Sequence, residues 1–492
     1  MTVRTQTVAS PDLAADGLAF FRWGRIGDTL LVTNDAGDWL RLSEAELADL
    51  LAGRVVAGHA RFDDLQRKGF LREGLDLDAL IARVAQRNRH LRRDAVLHVV
   101  SLRARRDGDM VEMNPATIEQ VIHFALEGLP QTVAFEFEAD DGEPLRAFEL
   151  LRHAIELARV RNQRAAGKTL RFSVLTNFAA LDETRADWLL ANDVQIVTSL
   201  DGPAALHDAH RAWKPGSRHA DVVGWIDALH RRYAERGRDP SQWRVDARLT
   251  VSRQTLSQGR ALVDEYLAHG LRTLHLRPLD GVRVDPRTWA AIGYELDDYL
   301  AFYRQTLDYL IERNRGGADI RERKAAVMLT RMLTSADAGV ADMQSPHGAG
   351  TAEIAYDVDG RVFPSGEARL VDAAGDPFFV LGHVSELTPE AIARHPTVRA
   401  IAAASLLDAQ PMCAECWNKP FCGISPVRTF ATHGELAGQR PDGAEHREHL
   451  AIATHLFELL AGADAELNAI LSRWAVADPR LAASLRTAAV AP

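Results

Sequence analysis

Short runs alternating between apolar and polar residues come first, at residues 18–24, 28–33 and 39–42, and this is the period of half-buried strands. Asn34-Asp35-Ala36-Gly37 separates the last two and supplies turn residues. Ser43-Glu44-Ala45-Glu46 then reads as a capping box, with Leu47, Leu50 and Leu51 on one helical face behind it. Helices over 59–68 and 76–92 complete a small α+β module, residues 1–92.

From Ala95 the pattern becomes regular. Apolar runs at 95–101, 132–137, 169–175, 194–199, 245–251 and 273–277 read as strands, and helical periods fill 115–126, 145–162, 221–236 and 255–269 between them. Strand and helix in alternation over 93–285 predict a parallel sheet with right-handed crossovers, either open and doubly wound or an incomplete βα barrel. In both, ligands gather at the carboxyl ends of the strands. The alternation stops in 286–492. Helices are expected at 294–313 and 319–333, a Gly/Ser/Pro/His stretch at 345–350, a hairpin at Asp357-Val358-Asp359-Gly360, and helices at 446–460 and 464–475.

Composition narrows the function classes. The 492 residues are 47% hydrophobic, enough for two or three domains. No apolar run reaches the ~18 residues of a membrane span, and the first residues lack a basic and then apolar signal pattern, so a cytoplasmic protein without a membrane partner is expected. The net charge of −10, with both signs interspersed, leaves no basic stripe for nucleic acid. The three cysteines, Cys413, Cys416 and Cys422, crowd one short segment. An odd number with none elsewhere argues against disulfides and for metal binding.

Polar motifs follow the strands in order: Asp141-Gly142-Glu143-Pro144, Thr176-Asn177, Ser199-Leu200-Asp201-Gly202-Pro203 and Leu249-Thr250-Val251-Ser252-Arg253. Singly each is an ordinary βα turn. Together with Cys413-x2-Cys416-x5-Cys422-Gly423 and the preceding 359–369, they resemble the radical SAM fold with a SPASM-like extension. The resemblance covers most of the chain and is nearest to the radical SAM maturases of His-Xaa-Ser peptide systems. It implies an incomplete (βα)6 barrel, a small N-terminal module that helps bind peptide, and a C-terminal metal-binding extension. It also implies a SAM-type pocket at Gly142, Glu143, Ser199 and Asp201.

The departures from that family matter as much. Its CxxxCxxC loop, which grips the catalytic cluster, falls after Ser101-Leu102-Arg103, where the ligand positions read Ala104, Gly108 and Val111. Cluster irons need thiolates, and the arginines and aspartate between these positions are no substitute. Radical SAM catalysis is therefore not expected. Asp141 and the acidic run Glu136, Glu138 and Asp140 set negative charge near the SAM carboxylate site, which opposes SAM binding. Two auxiliary ligand positions are lost as well, at Ser365 and Pro426. What remains is zinc or an iron–sulfur cluster at Cys413, Cys416 and Cys422, with His446 as the leading fourth ligand and His433 and His449 as alternatives. Trp417 and Phe421 are expected to shield that site. Arg248 and Arg277 face inward by strand alternation and suit a peptide carboxylate, or ion pairs with Asp201 or Glu143. The reading is a pseudoenzyme, a non-catalytic or precursor-binding component of ribosomal peptide maturation, with a precursor peptide and an intact radical SAM maturase as partners. The alternative is a peptide-modifying enzyme of altered chemistry that uses the remaining metal, or SAM without radical cleavage.

Overall fold

A computed structural model describes residues 17–475 apart from 93, 166, 212–215, 280–285, 338, 439–442 and 463. Strands β1 (Arg22–Ile26), β2 (Thr29–Thr33) and β3 (Trp39–Leu42) form an antiparallel sheet in that order. The capping box is complete: Ser43 Oγ accepts from the Glu46 amide at 3.2 Å, and the Glu46 carboxylate accepts from the Ser43 amide at 2.7 Å. Behind it Leu47 and Leu50 pack with Leu30, Val32, Leu42, Leu65 and Phe70 into a cluster of their own. The next helices are shorter than the pattern predicts, Phe62–Arg67 and Leu77–Arg87, the second started by the Asp76 side chain and followed by a 3-10 turn at Arg89–Arg92.

The central sheet contains β4 (Ala95–Arg106), β5 (Asp109–Glu112), β6 (Thr132–Ala139), β7 (Thr169–Leu175), β8 (Val194–Ser199) and β9 (Asp246–Arg248). Neighbours β4, β6, β7, β8 and β9 run parallel, and β5 folds back on the end of β4. Val133, Phe135 and Phe137 of β6 are fully buried in the main core, which fixes the alternation and turns Glu136 and Glu138 to the opposite face.

The sixth expected strand does not join this sheet. Only β10 (Thr273–Leu274) is extended, and it pairs with β11 (Arg321–Glu322). The Glu322 carboxylate also accepts from the Leu276 amide at 3.2 Å, so this segment satisfies its backbone away from β9. The expected hairpin forms as β12 (Glu353–Tyr356) and β13 (Arg361–Phe363), followed by β14 (Gly382–His383). It extends the central sheet beyond β4, with β12 parallel to β4, so the C-terminal segment completes the sheet begun by the middle one. Among the helices that the pattern missed, Glu183–Ala191 and Ala204–Arg211 bury only a few residues each and carry no long apolar stripe.

Candidate functional site

β4 runs on past residue 101, where a loop is expected. It turns at Asp107-Gly108, with φ of 51° and 96°, and returns as β5. Ala104 and Val111 are direct cross-strand partners, and Gly108 sits in the turn between them. Three arginines stitch this hairpin to its surroundings. Arg103 pairs with Asp141 at 2.6 Å and Glu112 at 3.2 Å, the Arg105 amide donates to Asp140 at 3.0 Å, and Arg106 pairs with buried Asp357. With every cysteine of the chain at 413–422, the hairpin offers no thiolate, and a catalytic cluster does not fit there.

The motif residues after the strands are turned inward. Glu143 is 1% exposed and accepts from Thr176 Oγ1 at 2.8 Å, the Leu145 amide at 3.1 Å and the Ala180 amide at 3.2 Å. Burial raises its carboxyl above the ordinary range despite these donors. Gly142 has φ of 77° and makes the turn that brings Glu143 in. Ser199 is the last residue of β8, in register with Arg248. Asp201, also 1% exposed, takes Arg211 on both oxygens at 2.6 and 3.1 Å and the Thr250 amide at 3.0 Å. Burial pushes Asp201 up, but Arg211 outweighs it and holds the carboxyl low.

The interior arginines take other partners than expected. Arg248 binds Glu136 at 2.7 Å and Arg277 binds Glu367, not Asp201 or Glu143. Strand alternation puts Arg248 and Glu136 on one face, whereas Glu143 and Asp201 lie in the loops beyond the strands. The acidic run is neutralised in turn. Glu138 and Asp140 share Arg369, at 2.8 and 3.0 Å, and Asp141 has Arg103, so this face is not the bare negative surface that its sequence implies. Arg369, 3% exposed on the helix Gly366–Ala373, carries no signal in the sequence beyond its place after the hairpin.

Across from this face lies a polar chamber built by the C-terminal segment. Glu367 accepts from Arg428 at 3.0 Å as well as from Arg277, Arg428 reaches Glu445 at 3.4 Å, and buried His347 meets Asp342 at 3.2 Å. Burial pushes His347 down, but Asp342 more than restores it and keeps the imidazole above its ordinary value. The side chains of Arg248, Arg277 and Asp342 remain 43%, 46% and 47% accessible although charged groups from several elements surround them. Glu353, first residue of β12, accepts from the Gly366 amide at 2.8 Å. Burial, with Asp342 and Glu367 nearby, pushes its carboxyl up to about 7.

The cysteines gather as their spacing implies. Cys413 packs on the cluster of Leu407, Cys422 and Ile424, and Cys416 follows one turn after Cys413. Burial pushes the Cys416 thiol up to about 11 and Cys422 higher still, so both are protonated without a cation. The histidine beside them is His449, whose Nδ1 lies 3.7 Å from Cys422 Sγ and 3.0 Å from the Gly423 carbonyl. His446 is half-buried one turn earlier on the same helix, Ala444–Leu460, and His433 is exposed at the end of Pro426–His433. The donor chemistry suits zinc or a cluster, but among the described residues no three His, Cys, Asp or Glu side chains are placed so that they could hold a metal ion. A bound ion would have to draw the thiols together and take their protons. Trp417 and Phe421 pack into the core on Phe457, with ring centroids 5.8 and 5.4 Å away. Ser365 caps Gly366–Ala373, and Pro426 opens Pro426–His433 behind the Ser425 cap.

No family model matches the chain, and no curated protein matches it in sequence. Solved structures do. Polyhistidine-tagged anSMEcpe with bound AdoMet is 17% identical, with a TM-score of 0.59 over 80% of this chain and 98% of that one. Native anSMEcpe with bound AdoMet and the Cp18Cys peptide gives 17% and 0.58, over 77% and 99%. Streptococcus suis SuiB bound to precursor peptide SuiA gives 14% and 0.49, over 88% and 99%. At this identity the likeness to anSMEcpe is one of fold alone. No described helix is long and apolar enough to cross a membrane.

Proposed function

We propose that this chain is a radical-SAM-type protein that binds a peptide and performs no radical chemistry, acting as a precursor-binding or partner component in ribosomal peptide maturation. The observation that carries the reading is the β4–β5 hairpin: where a cluster loop would open, the backbone closes on itself and Ala104 pairs with Val111. The central strands are read as a partial barrel and the hairpin and cysteine segment as a SPASM-like extension. Support for a peptide ligand comes from the related fold of anSMEcpe, which holds one, and from a chamber that keeps charged side chains accessible inside the molecule. The N-terminal sheet, whose β1 and β3 each pair on one side with β2, offers strand edges that can take part in that binding. Reconstitution with iron and sulfide, followed by SAM and dithionite, is expected to give no 5′-deoxyadenosine above a protein-free blank. Turnover would overturn the reading.

The cysteine segment is proposed to hold a structural metal, with His449 or His446 completing Cys413, Cys416 and Cys422. Metal analysis of anaerobically purified protein should find about one site's worth of zinc or cluster iron, lost in Cys416→Ala. Protein purified without metal, or a variant that keeps it, would remove this assignment.

A further inference from the structure

Most chamber carboxylates have a cation, some of the cations being shared. Glu136 has Arg248, Glu138 and Asp140 have Arg369, Glu367 has Arg277 and Arg428, Glu445 has Arg428, Asp342 has His347, and Glu448 has Lys324. Glu353 stands outside this pattern. Among the described residues its carboxylate has a single partner, the Gly366 amide, and no cation. The acid Glu367 directly follows Gly366 in sequence, the acid Asp342 is also nearby, and His347 is already committed to Asp342.

A second acceptor lies on the turn that leads into β12. Gln344 is 3% exposed and its Oε1 is buried without a hydrogen-bond partner among the described residues. It packs on Gly348, where an added Cβ would stand 2.6 Å from Oε1, and the Gly348 carbonyl accepts from the Glu353 amide at 3.2 Å. Burial keeps Gln344 Oε1 out of a ligand's reach, so the group that calls for a partner is the Glu353 carboxylate, which has no cation among the described residues. Its complement is a group that carries positive charge and N–H donors. Arg277 and Arg428, the guanidiniums paired with Glu367, make no hydrogen bond or ion pair with Glu353, whose one polar partner among the described residues is the Gly366 amide.

We infer that Glu353 receives a cationic side chain of the bound peptide, a lysine ammonium or an arginine guanidinium. This inference rests on the peptide-binding reading above and names the chemistry the chamber selects. The test is calorimetric titration of the full chain with capped pentapeptides of glycine carrying one central lysine, N-acetyl-lysine, norleucine or glutamate. The lysine peptide is expected to bind about tenfold more tightly than its acetylated or norleucine counterparts, the scale of one charge-assisted contact. In Glu353→Gln that preference should fall to within about twofold while the variant keeps its circular dichroism. The comparison of lysine with acetyl-lysine needs no variant and stands if Glu353→Gln misfolds. Equal binding of the lysine and norleucine peptides, or an undiminished preference in a folded Glu353→Gln, would overturn the assignment of Glu353 and leave peptide binding intact. Failure of all four peptides to bind would overturn both.

Discussion

Glu143 and Glu353 are both carboxyls lifted above their ordinary range by burial, and they differ in what meets them. Glu143 is surrounded by donors, the Thr176 hydroxyl and two amides, which makes it a post that ties three turns together. Glu353 has one amide and acidic neighbours. Its shift from 4.5 to about 7 means the folded state holds the proton more tightly than the unfolded chain. Stability from this group is therefore full below about pH 4.5 and is lost as the pH rises toward 7, beyond which a constant penalty remains. Glu353→Gln should accordingly be more stable than the parent at pH 8, by roughly 1–3 kcal/mol after allowing for water in the chamber, and the gap should narrow between pH 7 and 4.5. Urea melts across that range check it; a gap that does not change with pH would show that Glu353 is not held protonated. Neither role is visible in the residue type. Glu143 could be singled out because it lies in a motif, while Glu353 is one glutamate among many until the fold places acids round it.

The element that departs furthest from its sequence reading is the β4–β5 hairpin. Its turn was legible in principle, because Asp107-Gly108 is a strong two-residue hairpin signal and both residues adopt positive φ. The apolar run, however, ends at residue 101, and the arginine-rich Arg103-Ala104-Arg105-Arg106 does not read as strand. Pairing with Asp141, Asp140 and Asp357, residues distant in sequence, is what holds those arginines extended. Gly108→Ala forces a side chain into φ of 96° and should cost about 1 kcal/mol by loss of the turn. Chemical denaturation measures this, and hydrogen exchange should show faster amides in β5 with β7 unaffected. An unchanged midpoint would mean the hairpin contributes little to stability. The sixth strand teaches the converse: residues 273–277 have the composition of a strand, and only a competing partner, β11, takes them from the sheet.

On the scale of the whole molecule, the N-terminal sheet and the cysteine segment hold each other. Thr33 Oγ1 donates to the Trp417 carbonyl at 2.8 Å, Trp39 Nε1 to the Met332 carbonyl at 2.7 Å, and buried Arg87 to the carbonyls of Arg331 and Pro420 at 2.7 and 2.8 Å. Gly24 lies flat on Trp417, where an added Cβ would stand 2.1 Å from Cδ1. Gly24→Ala must displace a tryptophan that is 1% exposed, and a cost of roughly 1–3 kcal/mol is expected, as for overpacked cores. Thermal melts and a shift of the tryptophan emission are the readouts, and a variant with parental values would show that this contact can yield. Because of these contacts, removal of the first sheet would strip the cover from Trp417, so its share in peptide binding is better tested by substitutions on the strand edges.

The sequence alone determined the alternation of strand and helix through the middle of the chain, the capping box, the hairpin near residue 360 and the confinement of the cysteines to one short segment. These depend on residue type and on periods of two or 3.6, which are local properties of the chain. Tertiary structure decided the rest: that β12 joins β4, that the acidic run is matched to Arg248, Arg369 and Arg103, that His449 faces Cys422, and that Glu353 has no cation among the described residues. Charge compensation and burial are sums over neighbours brought together from across the chain, and no local pattern encodes which neighbours those will be.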